Sequence, residues 1–137
     1  MNLKKFLDAQ DKSYEKALSE IKNGQKKSHW IWYIFPQIKG LGFSETSKFY
    51  AIEDLEEATA FLKDPVLGKR LVQISQELLD LKNLSARQIF GSPDDMKLKS
   101  SMTLFSAIET THPVFHEVLD KFFNGTMDEK TLSILGK

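Results

Sequence analysis

Apolar residues recur at helical spacing along most of the chain, in segments separated by capping residues and breakers. Between Leu7 and Asn23 the residues Tyr14, Ala17, Leu18 and Ile21 share one face, and Gly24 stands where a helix end favours a left-handed residue, which predicts an amphipathic helix. The next segment, HWIWYIF, is apolar on every side whichever period is applied, so it is read as buried all round. Ser28 is placed to cap it and Pro36 to end it, and no partner strand is evident, so a short helix is expected there. After a loop from Gln37 to Phe43, Ser44 caps a helix through Ala51, and Asp54 with Glu57 starts another that reaches Lys63. Pro65 suits the first position of a long helix with a stripe of Leu67, Leu71, Ile74, Leu78 and Leu81. Ser85 opens a short turn closed by Gly91, and Ser92-Pro93-Asp94-Asp95 reads as cap, proline and first-turn acids of a helix to about Glu109. Pro113 restarts a helix that Gly125 ends, and Asp128 caps a last one. About eight short helices and no credible sheet predict an all-α fold, a single compact, irregular multihelical domain over residues 1–137.

Composition narrows the partners. A chain of 137 residues, 41% hydrophobic and 28% charged, has the make-up of one soluble globular core. Nineteen basic and nineteen acidic side chains cancel, so neither nucleic acid nor an anionic membrane is expected as a partner. The absence of cysteine excludes disulfides, thiolate chemistry and Cys-ligated zinc. The first residues show no signal-type apolar segment, and no run approaches the roughly 20 apolar residues of a spanning helix, so the expected location is cytoplasmic. Bases in excess over residues 1–44 and acids over 45–64 read as solvated faces.

Three sets of residues carry candidate chemistry. On the helix after Ser92, a wheel puts Leu98, Met102, Leu104, Phe105 and Ile108 on an inward stripe, with Asp94, Lys97 and Ser101 in the same arc. Polar groups there, beside free backbone N–H groups at a positive helix end, suit a phosphate or carboxylate, with Lys97 as point charge and Ser100 and Ser101 as hydroxyl donors. The structural alternative is an Asp94–Lys97 pair with both hydroxyls bonded back to the helix. The second set runs from His29 to Gln37: Trp30 and its aromatic neighbours can stack on a planar ring, Gln37 can donate and accept, and Gly40 and Gly42 allow close approach of backbone to a ligand. Its alternative is an aromatic core with a structural histidine. Ser44, Ser47 and Tyr50 form the third set, in which capping already explains Ser44. No nucleophile elbow accompanies these serines, which argues against a Ser–His triad. His112 and His116 have a metal-compatible spacing, but no third ligand is at hand, so no metal site is predicted.

The blocks SHWIWYIFPQIKGLGFSETSKFYAI, LGKRL and FGSPDDMKLKSSMTLF, in that order, resemble the domain-of-unknown-function family 1810 over nearly the whole chain. The resemblance implies a compact, mostly helical, bacterial-type domain and supports a helix for HWIWYIF, while implying little about activity. Some members carry a calpastatin-like label, which implies an extended inhibitor unlike this core-rich chain. The family pattern falls on most of the candidates above, so the blocks around His29 to Tyr50 and Asp94 to Ser101 are expected to face one another across one cleft. The expected function is binding of a small anionic ligand, nucleotide-like or ADP-ribose-like. In that reading aromatics stack the base, Lys97 and the serines hold phosphate, and no resident cofactor or metal is implied. If a hydrolase or transferase reaction occurs, His29 is the best general acid or base, because it alone in the set titrates near neutrality; whether the chain is an enzyme is left open. The alternative is a protein-interaction or regulatory module, in which Lys97 and His29 are buried and paired instead of lining an open concavity.

Overall fold

The computed structural model describes residues 2–137, and among them it contains nine helices and no strand. They are α1 (Lys4–Lys22), α2 (Ile31–Ile34), α3 (Glu45–Phe49), α4 (Leu55–Lys63), α5 (Leu67–Asp80), α6 (Ala86–Phe90), α7 (Asp94–Ser106), α8 (Val114–Phe123) and α9 (Glu129–Leu135). Several ends are where local chemistry puts them. Ser44, Asp54 and Asp128 each accept the N–H three residues on, and Ser85 and Gln88 form a reciprocal capping box. None of the described helices is long and apolar enough to cross a membrane.

Several starts differ from expectation: α1 begins at Lys4, ahead of Leu7, and α2 at Ile31 with Trp30 before it, because Ser28 does not cap it but donates its hydroxyl to Glu20. α5 runs from Leu67 with Pro65 and Val66 in the turn that leads into it; Asp64 caps that turn, its carboxylate accepting from the N–H groups of Val66 and Leu67 and its carbonyl from that of Gly68. α7 begins at Asp94 with Pro93 just outside it, so Ser92 stands one residue too early to cap it and forms no capping bond.

α7 is the centre of the molecule. Instead of one buried stripe it has Leu98 and every residue from Ser100 to Phe105 buried, packed against α8, α4, α6, α9 and α2. Ser100 and Thr103 tolerate this by donating their hydroxyls to the carbonyls of Met96 and Lys99, at 3.1 and 2.8 Å, whereas the Ser101 hydroxyl is buried without a partner among the described residues. Thr103 Oγ1 also accepts the Asp128 N–H at 2.9 Å, which fastens the start of α9. The remaining large element, α1, packs on α5 and α2, so Phe6, Phe61, Phe105 and Phe115 join one continuous core. α4 and α5 meet at Gly68, where a Cβ would lie 1.8 Å from the Leu62 carbonyl oxygen; only glycine permits this approach.

Candidate functional site

The segment after α2 is closed on itself by two backbone bonds. Lys39 N–H donates to the Ile52 carbonyl and Ile52 N–H to the Gln37 carbonyl, both at 2.8 Å, and the flanking Ile38 and Ile52 are buried. Pinning the two ends leaves residues 39–51 to arch outward around a cavity of about 350 Å³. Trp32, Phe43 and Tyr50 supply its aromatic walls, and Gln37, Ser47 and Lys48 its polar groups. Gly40 and Gly42 line it as well. A Cβ on Gly42 would stand 2.4 Å from that of Ser47, so a side chain there would force the arch apart.

The polar groups of this cavity are unspent. Among the described residues the Gln37 amide, the Lys48 ammonium and the Tyr50 hydroxyl have no protein partner, whereas Lys39 is paired with Glu53 at 3.2 Å. Burial, with the neighbouring Tyr33 and Asp8, pushes the Tyr50 phenol above its ordinary value, so it remains a neutral donor at physiological pH. Phe43, 82% exposed, stands at the mouth with Lys130 over its ring.

Of the sequence candidates, Gln37, Gly40, Gly42, Ser47 and Tyr50 therefore come together. Ser44 lies next to them as the α3 cap and donates to Ser47 Oγ at 2.9 Å. Trp30 does not join them. It is 1% exposed, and its indole N–H donates to Glu20 at 2.9 Å. The Glu20 carboxylate also accepts from Lys27 N–H, Ser28 N–H and Ser28 Oγ. Burial alone would raise its pKa, but these bonds outweigh it and hold the carboxyl at about 2. His29 is exposed and outside the cavity lining, so it does not face this space as an acid or base.

The start of α7 also departs from the anion-site expectation. Three of its first four N–H groups are taken: Asp95 donates to the Gly91 carbonyl, and Met96 and Lys97 to that of Pro93. Asp94 holds Lys26 at 2.8 Å and Lys97 at 3.4 Å, and the Lys26 side chain is only 8% exposed. Ser100 and Ser101 are buried among packed neighbours, so neither offers its hydroxyl to an open site. The two blocks nevertheless meet, because the Lys97 ammonium lies 5.2 Å over the ring of Trp32, the back wall of the cavity. The same indole has its Nε1–H buried without a partner.

The profile of a family described as protein of unknown function (DUF1810) matches residues 1–135. The chain belongs to that family. The crystal structure of the conserved hypothetical protein Rv1873 from Mycobacterium tuberculosis superposes on this DUF1810 domain with a TM-score of 0.96. The two are 39% identical, with 98% of this chain and 96% of that one covered. No curated protein matches the chain. For the DUF1810 domain, sequence reasoning missed Phe43 and Lys48 as parts of the site and had Trp32 only as an aromatic neighbour of Trp30. A usable signal was present in Phe43, an aromatic between Gly42 and Ser44 in a loop, with no helical apolar stripe to join.

Proposed function

We propose that this DUF1810 domain is a cytoplasmic binding module for a small anionic ligand that carries a planar ring, of mononucleotide size, held in the cavity of residues 32–51. The observation that supports it is the contrast in pairing: Gln37, Lys48 and Tyr50 border an open cavity without protein partners, while the polar groups at the start of α7 are used internally. Trp32, Phe43 and Tyr50 offer ring faces, Gln37 reads an edge as both donor and acceptor, and Lys48 meets the anion. At about 350 Å³ the cavity lies near the lower end of the range of about 300–1,000 Å³ usual for ligand sites, which favours a mononucleotide over a dinucleotide. Its lining includes neither histidine nor carboxylate, so the reading is one of binding and assigns no turnover.

The test is a thermal-shift series with AMP, ADP-ribose, NAD and a sugar phosphate. A ligand at one hundred times its Kd adds about 2.7 kcal/mol of stability. AMP is expected to stabilise the wild type, Gln37→Ala and Lys48→Ala to lose most of that gain, and Lys97→Ala to keep it. No stabilisation by any of the four at millimolar concentration would overturn the reading and turn attention to exposed Phe43 and Phe49 as a partner surface.

A further inference from the structure

A second cavity, of about 700 Å³, shares no lining residue with the first. It opens between α4, α5 and the corner that joins α7 to α8, over an apolar floor of Leu62, Val72, Ile108 and Pro113. Its walls are fixed locally. Gly68 seats α5 against the Leu62 carbonyl, and the Thr111 hydroxyl donates to the Phe105 carbonyl at 2.7 Å. At the same corner the Val114 N–H donates to His112 Nδ1 at 3.0 Å.

The polar lining has one sign. Its titratable side chains are Lys63, Lys69 and His112, with no carboxylate, and neither lysine has an ion-pair partner among the described residues. His112 Nδ1 accepts a backbone proton, so the ring carries its own proton on Nε2 and its far edge is a donor. Gln73 adds another donor, because its carbonyl oxygen already accepts the Tyr14 hydroxyl at 2.6 Å and its NH₂ group has no partner among the described residues. Lys63 also lines an adjoining shallow depression with Glu56 and Glu109, so Lys69 and His112 are the groups left for an anion.

Donors without acids above an apolar floor complement a molecule with one anionic head and an apolar body. We propose that this cavity is a second ligand site, for an amphiphilic carboxylic acid whose head meets Lys69 and His112 and whose chain covers Leu62, Val72 and Ile108. It is independent of the ligand assigned to the 32–51 cavity.

Octanoate and octanol separate head from chain as probes, with inorganic phosphate as the head-only control, and methyl NMR of the intact domain as the readout. Octanoate is expected to shift the methyls of Ile108, Val72 and Leu62 saturably, with octanol about tenfold weaker and phosphate shifting none of these methyls. Lys69→Ala should cost octanoate about tenfold in Kd and leave octanol unchanged. His112→Asn keeps an acceptor for the Val114 N–H through an i to i+2 side-chain bond but removes the Nε2 donor, and should weaken octanoate without moving the fold's other signals. Equal affinity for acid and alcohol, no saturation by octanoate, or shifts at Ile38 and Ala51 in place of Ile108 and Val72 would each overturn the proposal.

Discussion

Trp30 and Trp32 stand two residues apart at one turn of helix, and the molecule uses them in opposite ways. About 200° of helical rotation sends them to different sides. Trp30 goes into the core, where its N–H joins a carboxylate with four donors and where Lys26 lies 5.2 Å over its ring. Trp32 becomes the wall of a cavity, its N–H unpaired and Lys97 over its face. Around Trp30 each polar group has a partner; around Trp32 several have none. Satisfied polar groups hold a fold together, and unsatisfied ones beside an open space are the groups available to a ligand.

Breaking the first side should cost the most. Trp30→Ala is expected to lower stability by about 3–5 kcal/mol in urea unfolding, and a loss below about 1 kcal/mol would take the ring out of the core. Glu20 sharpens the same side through pH. Its carboxyl is held at about 2 against an ordinary 4.5, so its contribution, about 3 kcal/mol, is complete above 4.5 and lost as pH falls toward 2. Urea midpoints between pH 2 and 7 should show that loss in the wild type and a flatter profile in Glu20→Gln; identical profiles would remove the network from the account. On the other side, Trp32→Ala should cost only about 1–2 kcal/mol, because the ring is half-buried and its unpaired N–H goes with it, while AMP stabilisation disappears. The smallest effect belongs to Lys97→Ala, below about 1 kcal/mol, since its ties are a partly exposed ion pair and a cation–π contact. A larger loss by the same unfolding measurement would move Lys97 into the buried network.

Much of this was legible in the chain, and what was legible is local. Ser44, Asp54, Ser85 and Asp128 cap helices because each reaches an N–H three residues away, a relation that spacing alone shows. The cavity's Gln37, Gly40, Gly42, Ser47 and Tyr50 were also readable, since one loop holds them all. The roles of the two tryptophans were not: the core side of α2 is chosen by Glu20 on another helix. The start of α7 misled because its cation is paired locally, Lys97 with Asp94 three residues before it, and three of its first four amides are taken by turn partners. Asp94 holds Lys26 from a distant segment, and the carbonyls of Gly91 and Pro93 take the N–H groups. The larger cavity could not be read at all, being assembled from α4, α5 and the corner before α8.

The two tryptophans provide their own reporters. In a ¹H–¹⁵N spectrum of the uniformly labelled domain the indole signals of Trp30 and Trp32 are the only two of their kind, assignable by Trp32→Phe. Titration with AMP is predicted to move the Trp32 indole saturably and leave that of Trp30 in place. A Trp30 indole that moves, or a Trp32 indole that does not at millimolar AMP, would contradict the division between a closed structural side and an open binding side.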